Sequence, residues 1–165
     1  MRWLFPLALA AIPTSGACKP QPGAPIEFKH HVSCTLTPPV HFRNFGHPMP
    51  DHLFEALEVH DSGLPTGRFI GVRDIGTGSV DDAAKRLEAS LRASWGSQPN
   101  FALVESSAVN GGKLLVFAWG DPVMHETHFV SHQHGRSIDA WFALAPAELD
   151  AQARASLPTV TCTRR

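Results

Sequence analysis

The sequence has no tyrosine, only three cysteines, and no surplus of either charge. Its 14 Lys and Arg face 15 Asp and Glu, for a net charge of −1. A chain without a basic stripe lacks the footprint of a phosphate-backbone reader, so nucleic acid is not expected as a partner. No apolar run approaches the roughly 20 residues that a membrane-spanning helix needs. Catalytic loops are missing too. There is no Gly-x-Ser-x-Gly elbow, and Gly76-Thr77-Gly78-Ser79 has neither the lysine nor the spacing of a phosphate-binding loop. His125-Glu126-Thr127-His128 matches one half of a His-x-Thr phosphoesterase element, with no second copy. The chain is therefore read as non-enzymatic and without a cofactor.

What is present is the composition of one globular domain. Hydrophobic residues make up 43% and charged residues 18%, enough for a single core in 165 residues. Ten histidines, 14 prolines and 13 glycines stand out. Arg2, the apolar run 3–12, and the small residues Thr14, Ser15, Gly16 and Ala17 read as the n-region, h-region and cleavage zone of a secretory signal. Residues 1–17 are thus expected to be a signal peptide, 18–26 a Pro/Gly-rich tether, and 27–165 a single domain.

Cys18 closes the cleavage zone and admits two readings. An ordinary peptidase would cut after Ala17 and release a soluble periplasmic or secreted protein. Alternatively, Ser15-Gly16-Ala17-Cys18 resembles a bacterial lipobox, with Ser15 where leucine is usual. That resemblance implies lipidation of Cys18, and Lys19 after it implies the outer membrane. The expected location is the periplasm, with a lipid anchor as the only membrane attachment. Export permits oxidation, and with Cys18 set aside, Cys34 and Cys162 remain as an even pair. They are expected to form a disulfide between the first strand and the last segment. The alternative is two buried thiols.

Periodicity gives the order of elements. Residues 28–36 alternate like a strand, 38–50 are broken by prolines, and 53–60 fits either a helix or a strand, the strand being preferred because 68–75 looks like its antiparallel partner. Ser79 is a helix N-cap, and Val80, Ala84, Leu87, Leu91 and Trp95 make an inward stripe that Gly96 ends. Asn110-Gly111-Gly112 joins 101–108 to 113–119 as a hairpin. Segments 127–132 and 137–144 form another hairpin, turning near Gly135. Pro146 opens a last helix with Leu149, Ala153 and Leu157 inward, and Pro158 ends it ahead of the closing segment 160–163. Hairpins with segregated helices predict an α+β fold, an antiparallel sheet with two packing helices.

The stretches SVDDAAKRLEASL, VNGGKLLVFAW, HFVSHQHGRSIDAWFAL and PAELDAQARASL, between Ser79 and Thr163, resemble the PsbP-like, DcrB-like domain. Small bacterial lipoproteins of this shape include immunity proteins that neutralise toxins injected by neighbouring cells. The resemblance implies a binding module with a protein partner, in that case a secreted antibacterial toxin. The alternative is an orphan envelope lipoprotein with a structural or assembly role.

Two groups of residues are candidate sites. Phe42, Phe45 and Met49 would be interface anchors if exposed, and sheet packing otherwise. Asp51 and Glu55, with Glu58 and Asp61, read as an acidic edge beside them. His128, His132 and His134 share one face of an extended strand, with His125 opposite. Three imidazoles are a donor set for zinc or copper. The plainer alternative is a solvated hairpin with incidental histidines.

Overall fold

The computed structural model describes residues 32–39, 41–44, 49, 51–59, 63, 65–147 and 150–165. The expected signal peptide and tether, Cys18, Phe45 and Asp61 lie outside these residues. The elements run β1 (Val32–Thr35), β2 (Phe42–Asn44), β3 (His52–Val59), β4 (Pro65–Asp74), α1 (Val80–Trp95), β5 (Ala102–Val109), β6 (Gly112–Trp119), β7 (Met124–Gln133), β8 (Arg136–Ala145), α2 (Asp150–Ser156) and β9 (Thr161–Arg164). A 3-10 turn, Leu157–Thr159, links α2 to β9. Strands β2 to β8 make a seven-stranded sheet in the order β2-β3-β4-β8-β7-β6-β5, antiparallel throughout. β1 and β9 make a separate two-stranded ribbon.

Local chemistry explains the main elements. Ser79 caps α1 by accepting the Asp82 N–H at 3.1 Å, and Asp81 and Asp82 complement the positive helix end. Its buried face, Ala83, Ala84, Leu87 and Leu91, packs on Leu115, Phe117 and Val130. Both long hairpins turn through two residues of positive φ, Asn110 (47°) with Gly111 (75°), and His134 (53°) with Gly135 (80°). Such turns match strand twist and pin register, setting Val109 opposite Gly112 and Gln133 opposite Arg136.

The other sheet face, built on Ile70, Val72, Val116, Phe129, Ile138 and Phe142, carries the second core. The ribbon and the 3-10 turn cover it with Val32, Leu157 and Val160. α2 is seven residues long and buries Ala153 and Ser156, so it is a lesser cover than a full packing helix. Cys34 stands opposite Cys162 in the ribbon, and their sulfurs are bonded across a sequence separation of 128. Gln133 ties the ribbon to the sheet. Its Nε2 donates to the Val160 carbonyl at 3.1 Å, and its Oε1 accepts the Cys162 N–H at 2.8 Å.

Several expectations are corrected. Trp95, the last residue of α1, is 38% exposed rather than core. There it stacks on Trp119, centroids 5.0 Å apart. The Pro-broken stretch contains a short strand, β2, paired with β3. α2 starts at Asp150, since β8 runs on to Ala145. Pro158 lies inside the 3-10 turn that follows it.

The bond between Cys34 and Cys162 closes nearly the whole domain, and loop-closure entropy assigns such a crosslink about 5 kcal/mol. A Cys34→Ala/Cys162→Ala variant is expected to lose stability on that scale in urea unfolding. A stability equal to that of the oxidised parent would contradict it.

Candidate functional site

Asp139 lies in β8 between Ile138 and Ala140, and its side chain has no solvent exposure. An unpaired carboxylate there would cost several kcal/mol. Two neighbouring strands supply cations. In the β4–β8 register Arg73 is directly opposite Asp139, and its Nε and Nη2 donate to Oδ2 at 3.0 and 2.9 Å. In the β7–β8 register Val130 is opposite, so His128 is the diagonal neighbour on the same face. The His128 Nδ1–H donates to Oδ1 at 2.9 Å. On the ring's other side Glu126 Oε1 lies 3.2 Å from Nε2, off the N–H direction, and acts as a neighbouring charge.

Burial is the largest single influence on His128, and it favours the neutral ring. The Asp139 carboxylate, then Glu126, outweigh it and raise the pKa to about 9. Burial likewise pushes Asp139 upward, but His128 and Arg73 outweigh it and hold the carboxyl below its ordinary value. Two cations and two anions thus neutralise one another. With Nδ1 on Asp139 and Nε2 against Glu126, the imidazole offers no free base for general catalysis.

The three candidate metal ligands are not brought together. His128 is fully buried in the ion cluster, while His132 is exposed. His134 is in the turn rather than on the strand, and its Nε2–H donates to the Cys162 carbonyl at 2.7 Å. Among the described residues no three His, Cys, Asp or Glu side chains are placed to hold a metal ion. The reading of a solvated hairpin fails for His128 as well. His125, half-buried, pairs with Asp150 at 2.8 Å.

The proposed partner-binding residues divide. Phe42 is buried against Phe142, centroids 5.4 Å apart, so it packs the sheet and is no anchor. Glu55 is buried too, and accepts the Met49 N–H at 3.0 Å. Glu58 is half-buried and binds Arg68, so the acidic edge is not uniformly exposed. Met49 and Asp51 do stand at the surface. They flank His52, whose ring meets Trp141 edge-on at 4.8 Å. Trp141 lies flat on Gly71, where an added Cβ would come within 2.4 Å of the indole. The Arg73 guanidinium sits 4.7 Å from the ring centroid. Arg73 is also a wall of a groove of about 270 Å³ between β4 and α1, with Ile75, Leu87 and Arg86.

Met49 and Asp51 are thus exposed next to His52, and Arg73 links the ion cluster to a groove of mixed character between β4 and α1. Sequence reading reached Met49 and Asp51 but missed Arg73, Trp141 and the cluster. The available signal was Asp139 itself, an acid in the apolar run SIDAWFAL.

No family model matches the sequence, and no curated protein is similar to it. Solved structures are. The crystal structure of LpqN, involved in cell envelope biogenesis of Mycobacterium tuberculosis, has a TM-score of 0.51 at 13% identity, covering 88% of this chain and 87% of that one. The solution structure of cyanobacterial PsbP (CyanoP) from Synechocystis has a TM-score of 0.48 at 11% identity, covering 86% and 98%. The likeness to LpqN extends over most of both chains and shows a shared α+β fold.

The ion cluster makes stability depend on pH. His128 has a raised folded-state pKa, so its contribution is full below its ordinary 6.5 and is lost as pH rises through about 9. Asp139 has a lowered one, so its contribution is present above its ordinary 3.8 and is lost below it. Stability is expected to be greatest between roughly pH 4 and 6.5 and to fall by on the order of 3 kcal/mol on the alkaline side. Urea unfolding across that range reads the slope, which His128→Gln is expected to abolish. A parent protein equally stable from about pH 6 to about pH 10 would contradict the assignment.

Proposed function

We propose that this chain is a non-enzymatic protein-binding domain of the bacterial envelope, working in the periplasm. In its most specific form it is an immunity protein that neutralises an antibacterial effector by direct contact. The observation that carries the compartment is the Cys34–Cys162 bond, a kind of crosslink that persists where thiols oxidise. The leader-like residues 1–17 agree with it, and Cys18 is the expected lipid anchor. Support for binding rather than catalysis comes from the ion cluster, whose acid and base groups are spent on each other. The proposed contact surface is the corner of Met49 and Asp51 with Arg73. An exposed Met and a half-buried Arg against an aromatic ring are residue types that interfaces favour.

A second reading, an assembly role in the envelope, draws support from the fold shared with LpqN, which is involved in cell envelope biogenesis.

Where a toxin gene adjoins this one, cells that export that toxin to their own periplasm are expected to survive when they make the full chain. They are expected to die when the chain lacks residues 1–17. Met49→Arg/Asp51→Arg should abolish protection without lowering the melting temperature, since both positions are exposed. Equal protection with and without the leader would contradict the compartment. No protection in either case would contradict the immunity reading and leave the assembly role.

A further inference from the structure

The two edges of the seven-stranded sheet are built differently. One edge is β2, three residues long, carrying Arg43 and preceded closely by Pro38 and Pro39. Short length, charge and proline are the usual guards against edge-to-edge pairing. The other edge is β5, eight residues long, with sequence ALVESSAV. It contains no proline, lysine or arginine. Its one charge, Glu105, is already held by both terminal nitrogens of Arg154 from α2. A register shift between Leu103 and Glu105 interrupts the strand, but residues 105–109 run in straight register with β6.

On the ribbon side Arg154 lies on Glu105 and Val109 packs against the core, but on the α1 side the straight portion is open among the described residues. α1 packs on β6 and β7 and touches β5 only near its start, at Leu103. Beyond it a cleft of about 580 Å³ is lined by Val80, Asp81 and residues 106–113, and it is bridged at the turn end by the Lys113 Nζ bond to Asp81 at 2.8 Å. Ser106 and Ala108, the side chains on the α1 side of the edge, are exposed.

We propose that this edge is a self-association surface, where two copies of the chain join their sheets by antiparallel pairing of residues 105–109 about a two-fold axis at Ser107. The occupant is a second copy because the segment is complementary to itself. With the axis at Ser107, Ser106 faces the second copy's Ala108 and Glu105 faces its Val109. The two carboxylates are therefore not opposed, and only small side chains meet on the α1 side. Closed two-fold pairing also uses up both free edges at once and leaves the guarded β2 edges outward. The pairing does not depend on the partner-binding reading above.

The test compares two double variants that differ only in the sign of one charge. In Ser106→Glu/Ala108→Glu the register sets carboxylates against each other at two places in the dimer. In Ser106→Lys/Ala108→Glu it sets an ammonium group against a carboxylate at the same two places. Both retain the Ala108→Glu change beside Lys113, its partner on β6. Sedimentation velocity on the exported chain, with circular dichroism and melting curves as a check of folding, is expected to give twice the monomer mass for the parent. The like-charge variant should give the monomer mass and the opposite-charge variant twice that mass again. A parent that is monomeric at every soluble concentration would overturn the proposal. So would a dimer that persists in the like-charge variant, or one that the opposite-charge variant fails to recover.

Discussion

The buried carboxylate of Asp139 is the constraint around which the sheet is arranged. It lies on β8, the middle strand of the seven, and has no exposure, so it needs compensation from within the fold. β4 supplies Arg73 directly opposite, and β7 supplies His128 on the diagonal. A slip of one residue in either pairing would turn the cation to the other face and leave the acid unpaired. Arg73 answers two demands, since the same guanidinium that neutralises Asp139 also caps the indole of Trp141. Trp141 in turn requires glycine at position 71 beneath it. One polar contact thereby fixes three strands, an aromatic side chain and the floor of the α1–β4 groove.

Much of this fold was legible in the sequence because its signals are local. Ser79, the twin aspartates and Gly96 bound α1 to within a residue, and Asn110-Gly111 set the β5–β6 hairpin. The disulfide was legible from export and parity. What escaped depends on partners distant in sequence. His128 looked like one of four surface histidines, and only the β7–β8 register brings it to Asp139, eleven residues away. Trp95 had the right helical phase but is the last residue of α1, where it stacks on Trp119 of β6 and stays partly exposed. Glu55 reads as part of an exposed acidic edge, yet β3–β4 pairing sets it opposite Gly71, where it is buried; Phe42, open between anchor and packing, is paired by β2–β3 opposite Glu58 and packs the core.

The two faces of the sheet divide the work. The face under the ribbon is closed by the Cys34–Cys162 bond and by Gln133, which clamp the chain ends onto the core. The α1 face is covered over β6 and β7 and leaves a groove beside β4. A rigid, internally neutral cluster beneath that groove gives exposed side chains a fixed base, which lowers the ordering cost of binding. The proposed recognition role draws on this division of the two faces.

At neutral pH His128 is an imidazolium, held as a structural cation between Asp139 and Glu126. Long-range proton–nitrogen correlation spectra of the His128 ring near neutral pH test it most directly. The predicted result is two protonated ring nitrogens with the shifts of a charged imidazole. A single neutral tautomer at that pH would contradict the account.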